Sequence, residues 1–193
     1  MSRTGRRKLF SWMIILALTA TVPIGSSAEE ESDAARECLL KAAFLYNFAK
    51  FVDWPVDAFE NPEASFRLCI LGDDTLGAAT GTIENKEVKG RKLRVEKCQH
   101  IEEADGCHLL FISSSEKEAL SGILDHVRGR SILTVSDFKG FAEMGGIIGL
   151  ATIQDRIRFT VNLGAAKRTR LVLSSQLLKL GEVIPGCEEQ ERK

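Results

Sequence analysis

Five cysteines, three histidines and a few serine and arginine pairs are the residues of this 193-residue chain whose types and spacing can do chemistry. Cys38, Cys69, Cys98, Cys107 and Cys187 are separated by 31, 29, 9 and 80 positions. None of these spacings is a Cys-x-x-Cys pair, which speaks against a zinc knuckle or a dithiol redox motif. An odd count leaves at least one thiol over. Cys69 falls in the middle of one apolar segment, Phe66-Arg-Leu-Cys-Ile-Leu71, and Cys107 opens another, Leu109-Leu-Phe-Ile112. If those segments are neighbouring strands, the two sulfurs come within disulfide reach. The bridge then closes a loop worth about 3–4 kcal/mol in the chain-entropy account. Cys98 with Cys107 is a rival pairing across the short loop between them. Cys38 with Cys187 requires the two ends of the chain to meet.

The other candidates are weaker. His100, His108 and His126 fit no metal-ligand spacing, so no metal site is expected. Ser113-Ser-Ser115 and Ser174-Ser175 are not set in a Gly-x-Ser-x-Gly elbow, and no catalytic residue or cofactor motif emerges. The first serines are expected to cap a helix near 116–126, and the second pair to lie inside a helix. Gly72-Asp73-Asp74-Thr75-Leu76-Gly77 follows a strand and opens a helical segment expected to run to Ile83. Free amides there can hold an anion, but the phosphate-loop lysine is missing and two aspartates repel a phosphate. Arg156 and Arg158 alternate with Ile157 and Phe159, so a strand puts both guanidiniums on one face. That face is either solvated or grips an anion or a carboxylate-bearing partner.

These residues are positioned by elements in alternation. Lys41-Ala-Ala-Phe-Leu-Tyr-Asn-Phe-Ala-Lys-Phe-Val-Asp-Trp-Pro55 is an amphipathic helix with Phe44, Phe48 and Phe51 on one face, stopped at a Trp-Pro corner. Its start is expected at Ser32 or Asp33. Phe44 and Phe48 read as core, while Trp54 sits where an indole can be half exposed and meet a ligand. Strands are expected at 66–71, 93–97, 109–112 and 132–135, and a helical turn at 138–144. Two alternating runs, 146–153 and 156–161, form an antiparallel hairpin about Gln154-Asp155. An amphipathic helix over 165–180, with Leu180 on its apolar side and Gly181 as C-cap, closes the chain. The pattern predicts a three-layer α/β/α domain with a largely parallel mixed sheet.

The ends and the charge restrict location. Arg3, Arg6, Arg7 and Lys8 precede an apolar run, Leu9 to Val22, which is the length of a secretory signal peptide and short for a membrane span. Cleavage is expected after Ala28, which leaves a single domain over residues 29–193 without a membrane span. Loss of four basic and no acidic residues takes the net charge from −1 to −5. That balance argues against a nucleic-acid or anionic-membrane binder.

The helix string 41–55 closely resembles the signature of the YfiR family of periplasmic regulators. So do Phe66-Arg-Leu-Cys-Ile-Leu-Gly-Asp-Asp74, Cys107-His-Leu-Leu-Phe-Ile-Ser113, Leu133-Thr-Val-Ser-Asp137 with Gly145-Gly146-Ile, Arg156 to Leu163, and Ser174-Ser-Gln-Leu-Leu-Lys-Leu180. The resemblance implies a periplasmic protein, not an enzyme, that binds and represses an inner-membrane diguanylate cyclase and so restrains cyclic di-GMP, exopolysaccharide and biofilm formation. It also implies that an outer-membrane lipoprotein of the peptidoglycan-binding type can sequester the repressor. It implies a redox-linked disulfide, and the cysteines matching that pair are Cys69 and Cys107. A second pair found in some relatives has no counterpart, because residues 141–153 contain no cysteine. The contact surface is expected on the final helix and hairpin, at Arg156, Arg158, Ser174, Ser175 and Gln176. A homodimer on the same helices is equally allowed. The alternatives are a periplasmic small-ligand sensor, with Gly72 to Thr75 and the two arginines forming an anion pocket, and an exported enzyme.

Overall fold

The computed structural model describes residues 26–154 and 156–186. Most of the expected leader, Asp155 and Cys187 lie outside the described residues.

Helix α1 (Ser26–Phe51) ends where the Trp-Pro corner requires. It is already helical at Ser26, so Ser32 and Asp33 lie within it and are not its cap. The strands are β1 (Val52–Asp53), β2 (Phe66–Leu71), β3 (Glu87–Val88), β4 (Arg91–Cys98), β5 (Leu109–Ile112), β6 (Leu133–Ser136), β7 (Ile148–Ile153), β8 (Arg156–Asn162), β9 (Val172–Leu173) and β10 (Glu182–Ile184). Eight of them form one sheet in the order β10-β8-β7-β6-β5-β2-β4-β3. From β4 through β7 all neighbours are parallel, β7 and β8 make the antiparallel hairpin, and β10 returns parallel to β8. The expected mixed, largely parallel α/β sheet is therefore what forms.

Alternation along the strands separates two cores. Phe66, Leu68 and Ile70 of β2, with Leu109 and Phe111 of β5, face α1 through Ala42, Leu45, Phe48 and Ala49. Cys69, Leu71, Leu110 and Ile112 face the other side, where α2 (Leu120–His126) supplies Leu120 and Ile123, and Phe138 and Phe141 complete the layer. Strands buried on both faces read as continuous apolar runs, as β2 and β5 do.

The last third departs from expectation. The continuous helix over 165–180 does not form. Instead α3 (Leu163–Lys167), β9 and α4 (Ser175–Leu180) follow one another. Thr169 is the local cause. Its hydroxyl donates to Ala166 O and accepts from Leu171 N–H, and both bonds compete with helix continuation. Val172 and Leu173 then pair antiparallel with Asp53 and Val52, which ties the end of α1 to the C-terminal third. Gly181 ends α4 at φ −105°, not in the left-handed region. Its lack of a side chain is needed for another reason: a Cβ there would stand 2.4 Å from the Phe159 ring.

Three smaller expectations are also corrected. The segment after Gly72 is a 3₁₀ turn at Gly77–Thr82. The helix expected from 116 begins at Leu120, preceded by a 3₁₀ turn at Ser114–Glu116, and Ser113 makes no capping bond. Residues 138–145 form turns, not a helix.

Candidate functional site

The cysteine question is decided by topology. Because β2 and β5 are adjacent and parallel, Cys69 and the residue entering β5 come together, and Cys69–Cys107 is a disulfide with a Cα–Cα distance of 6.0 Å. Cys98, the rival partner, remains a buried thiol. Burial raises its pKa, and the Glu103 and Glu96 carboxylates add to the effect. Cys38 is a half-buried thiol whose Sγ donates to Thr75 O at 3.2 Å.

Trp54 is half-buried, as its place at the corner suggested, and its ring is held by the core. Its indole N–H donates to His108 O at 3.1 Å, and its ring meets Phe66 edge-on at 4.8 Å. His108 lies in the same aromatic cluster, stacked between Phe59 and Phe66 at 4.2 and 5.1 Å. Its Nδ1 accepts from Arg67 N–H at 3.0 Å, so Nε2 carries the proton toward Ala58 O at 3.1 Å. Burial pulls the imidazole pKa down to about 4, helped by the charges of Arg67 and Arg91. A neutral histidine with both nitrogens engaged is a core group, not a free base. Among the described residues no histidine joins a cluster of metal-ligating side chains.

The turn after β2 is filled from within. Strand order reverses between β2 and β5, which is where a doubly wound sheet ordinarily opens a ligand crevice. Here Asp73 N–H donates to Ser115 Oγ, and Leu76 and Gly77 N–H donate to Asp74 Oδ1 at 3.2 and 2.8 Å. Lys97 neutralises Asp74 at 2.8 Å. The carboxylate of Asp74 thus stands where an anion would bind. A Cβ on Gly72 would lie 2.4 Å from Ser115 Oγ, so the crevice is closed as well as occupied.

The hairpin arginines are open. Arg156 and Arg158 are both exposed on one face of β8, while Phe159 is buried in the α1 core between Phe44 and Phe48. Both arginines line a groove of about 450 Å³ with Ile153, Leu180 and Glu182. Ile153 is 51% exposed and Leu180 73%, although periodicity had put Leu180 on a buried helix face. Ending α4 at Leu180 and adding β10 beside β8 is what turns it outward. Ser174 is the N-cap of α4, accepting from Leu177 N–H at 3.2 Å, rather than a residue inside a helix. Ser175 and Gln176 are exposed, but neither lines the groove. The structure therefore joins the arginines to Leu180 and Ile153, not to the three polar residues of α4 or to Trp54. Sequence periodicity missed this apolar rim. The signal was the run Glu182-Val183-Ile184 after Gly181, which reads as a strand and so ends the helix early.

Sequence reasoning also missed Lys41. It lies 2.6 Å from Asp137 and 2.7 Å from Glu37, with side chains of Lys41 and Asp137 only 14% and 12% exposed. Desolvation disfavours the ammonium, yet its hydrogen bonds to Asp137 and Glu37 prevail and hold its pKa above the ordinary lysine value. Glu37, bonded to Lys41, is held below the usual carboxylate range.

The chain is thus an α/β domain with a closed switch-point crevice, a buried disulfide and a groove flanked by two exposed arginines. The YfiR/HmsC-like family model matches residues 39–182, from inside α1 to the start of β10, and the chain belongs to that family. No curated protein matches the chain at a significant level.

Proposed function

We propose that the chain is exported by a signal peptide cleaved after Ala28, binds the periplasmic portion of an inner-membrane diguanylate cyclase, and holds that enzyme in its less active state. Cyclic di-GMP, exopolysaccharide and biofilm formation are then restrained. The observation that carries this reading is the family match over residues 39–182, since the YfiR-like family is one of periplasmic, non-catalytic regulators. The Cys69–Cys107 bridge suits an oxidising compartment and supports the same reading.

Repression by binding requires a preference for one state of the target, because equal affinity for both shifts nothing. The groove of Ile153, Leu180, Arg156 and Arg158 is the surface we assign to that contact. It offers apolar area for affinity and two fork-shaped donors for a carboxylate-bearing segment. A peptidoglycan-binding lipoprotein of the outer membrane would relieve repression by competing for the chain, and a homodimer is compatible with the same face.

A pull-down from inner-membrane extract, with the chain first oxidised and then reduced, tests the proposal. Recovery of a diguanylate cyclase by the oxidised chain is the expected result. Recovery in both states retains the repressor and removes redox gating. Recovery of no membrane receptor from cells that express such a cyclase overturns the reading.

A further inference from the structure

Cys98 takes no part in the regulator reading, yet it does not sit alone. It ends β4, and the parallel register sets it beside Leu71, on the face that Cys69 shares. The loop over residues 99–106 then returns the chain so that Cys107 enters β5 on the other side of β2. The sulfur atoms of Cys69, Cys98 and Cys107 all lie within 4.8 Å of one another. The three residues are 0%, 2% and 3% exposed, and no carboxylate or imidazole atom joins the set. Three sulfur donors without oxygen or nitrogen make a soft ligand set. Four-coordinate structural zinc would lack a ligand here, whereas Cu(I) accepts three thiolates. Metal–sulfur bonds of about 2.3 Å place the sulfurs of a trigonal site roughly 4 Å apart. The three sulfurs already lie within 4.8 Å of one another, and opening the bonded pair requires those two to separate by about 2 Å. Arg67, two residues before Cys69 on the same face of β2, is held by the Glu96 carboxylate at 2.7 Å, so the surroundings of the sulfurs carry no unpaired cation from that strand.

We propose that reduction of the Cys69–Cys107 bridge turns Cys69, Cys98 and Cys107 into a buried three-thiolate site for one soft, thiophilic cation of the Cu(I) class. A dithiol reductant supplies two electrons and two protons. Its own sulfurs become joined while the Cys69–Cys107 bond opens to two thiols. The cation then forms three metal–sulfur bonds, and the three thiol protons leave to solvent. The oxidised chain, with two of the three sulfurs joined to each other, has no such site.

The test uses the full chain carrying Cys38→Ser and Cys187→Ser, so that only the three clustered sulfurs remain. Cu(I) is offered from a chromophoric chelator under anaerobic conditions to the oxidised chain, to the phosphine-reduced chain, and to the reduced chain with Cys98→Ala added. One equivalent taken up by the reduced chain, with X-ray absorption showing a shell of three sulfurs, is expected. No uptake by the oxidised chain and loss of stoichiometric uptake in Cys98→Ala are expected with it. Equal uptake by reduced chains with and without Cys98 overturns the proposal. So does absence of uptake by the reduced chain, or loss of its far-UV dichroism on reduction, because the site needs the folded sheet. This experiment is independent of the cyclase pull-down, and either can fail alone.

Discussion

At the scale of single residues, His108 makes the clearest demand on solution behaviour. Its pKa is about 4 in the folded chain against an ordinary 6.5, so the unfolded chain binds the extra proton first. The stability that neutral His108 contributes is complete above pH 6.5 and is lost as pH falls toward 4. Denaturant unfolding of the disulfide-intact chain should therefore lose roughly 2 kcal/mol between pH 6.5 and about pH 5. In His108→Gln the loss over that interval should shrink to a fraction of this value. A parent chain with a flat profile there would mean that His108 is hydrated and titrates normally. Nothing in the spacing of the histidines announces this role. It arises because Phe59, from a loop, and Phe66, from β2, close over the ring.

At the scale of elements, one cross-link ties neighbouring strands and another ties a helix to the sheet. The disulfide joins β2 to the start of β5 over a sequence separation of 38, and its loss should cost about 3–4 kcal/mol by loop entropy. Cys69→Ser, compared with parent by calorimetry under oxidising conditions, is expected to melt lower, and an unchanged midpoint would deny the bridge a structural part. Lys41 joins α1 to the residue after β6 through Asp137. Lys41→Ala leaves a nearly buried carboxylate unpaired, a loss on the order of 3 kcal/mol. Adding Asp137→Asn should restore part of it, and strictly additive losses would show that the two side chains do not interact. The hairpin and α1 were legible in advance because alternation and a Trp-Pro stop are local signals. The broken closing segment was not, because its leucines keep helical spacing while Thr169 and the β1 partner decide otherwise.

At the scale of the whole molecule, the groove beside β8 lets the proposed contact be tested apart from the fold. Arg156→Glu with Arg158→Glu changes two exposed side chains, so the melting temperature should stay within about 2 °C of parent. In a deletion strain complemented with this variant, cyclic di-GMP should rise toward the level of the deletion. Full repression by the variant would move the contact surface elsewhere on the molecule.

By itself the sequence determined the α/β alternation, the hairpin about Gln154-Asp155, the buried character of β2 and β5 and the family. All of these are written in short-range periodicity and local motifs. The family resemblance pointed to Cys69 and Cys107, and strand order is what brings them together. Which amides Asp74 fills and why Leu180 faces outward were decided only by the tertiary structure. Each depends on strand order or on partners far along the chain, and no local pattern encodes which neighbour a strand will take.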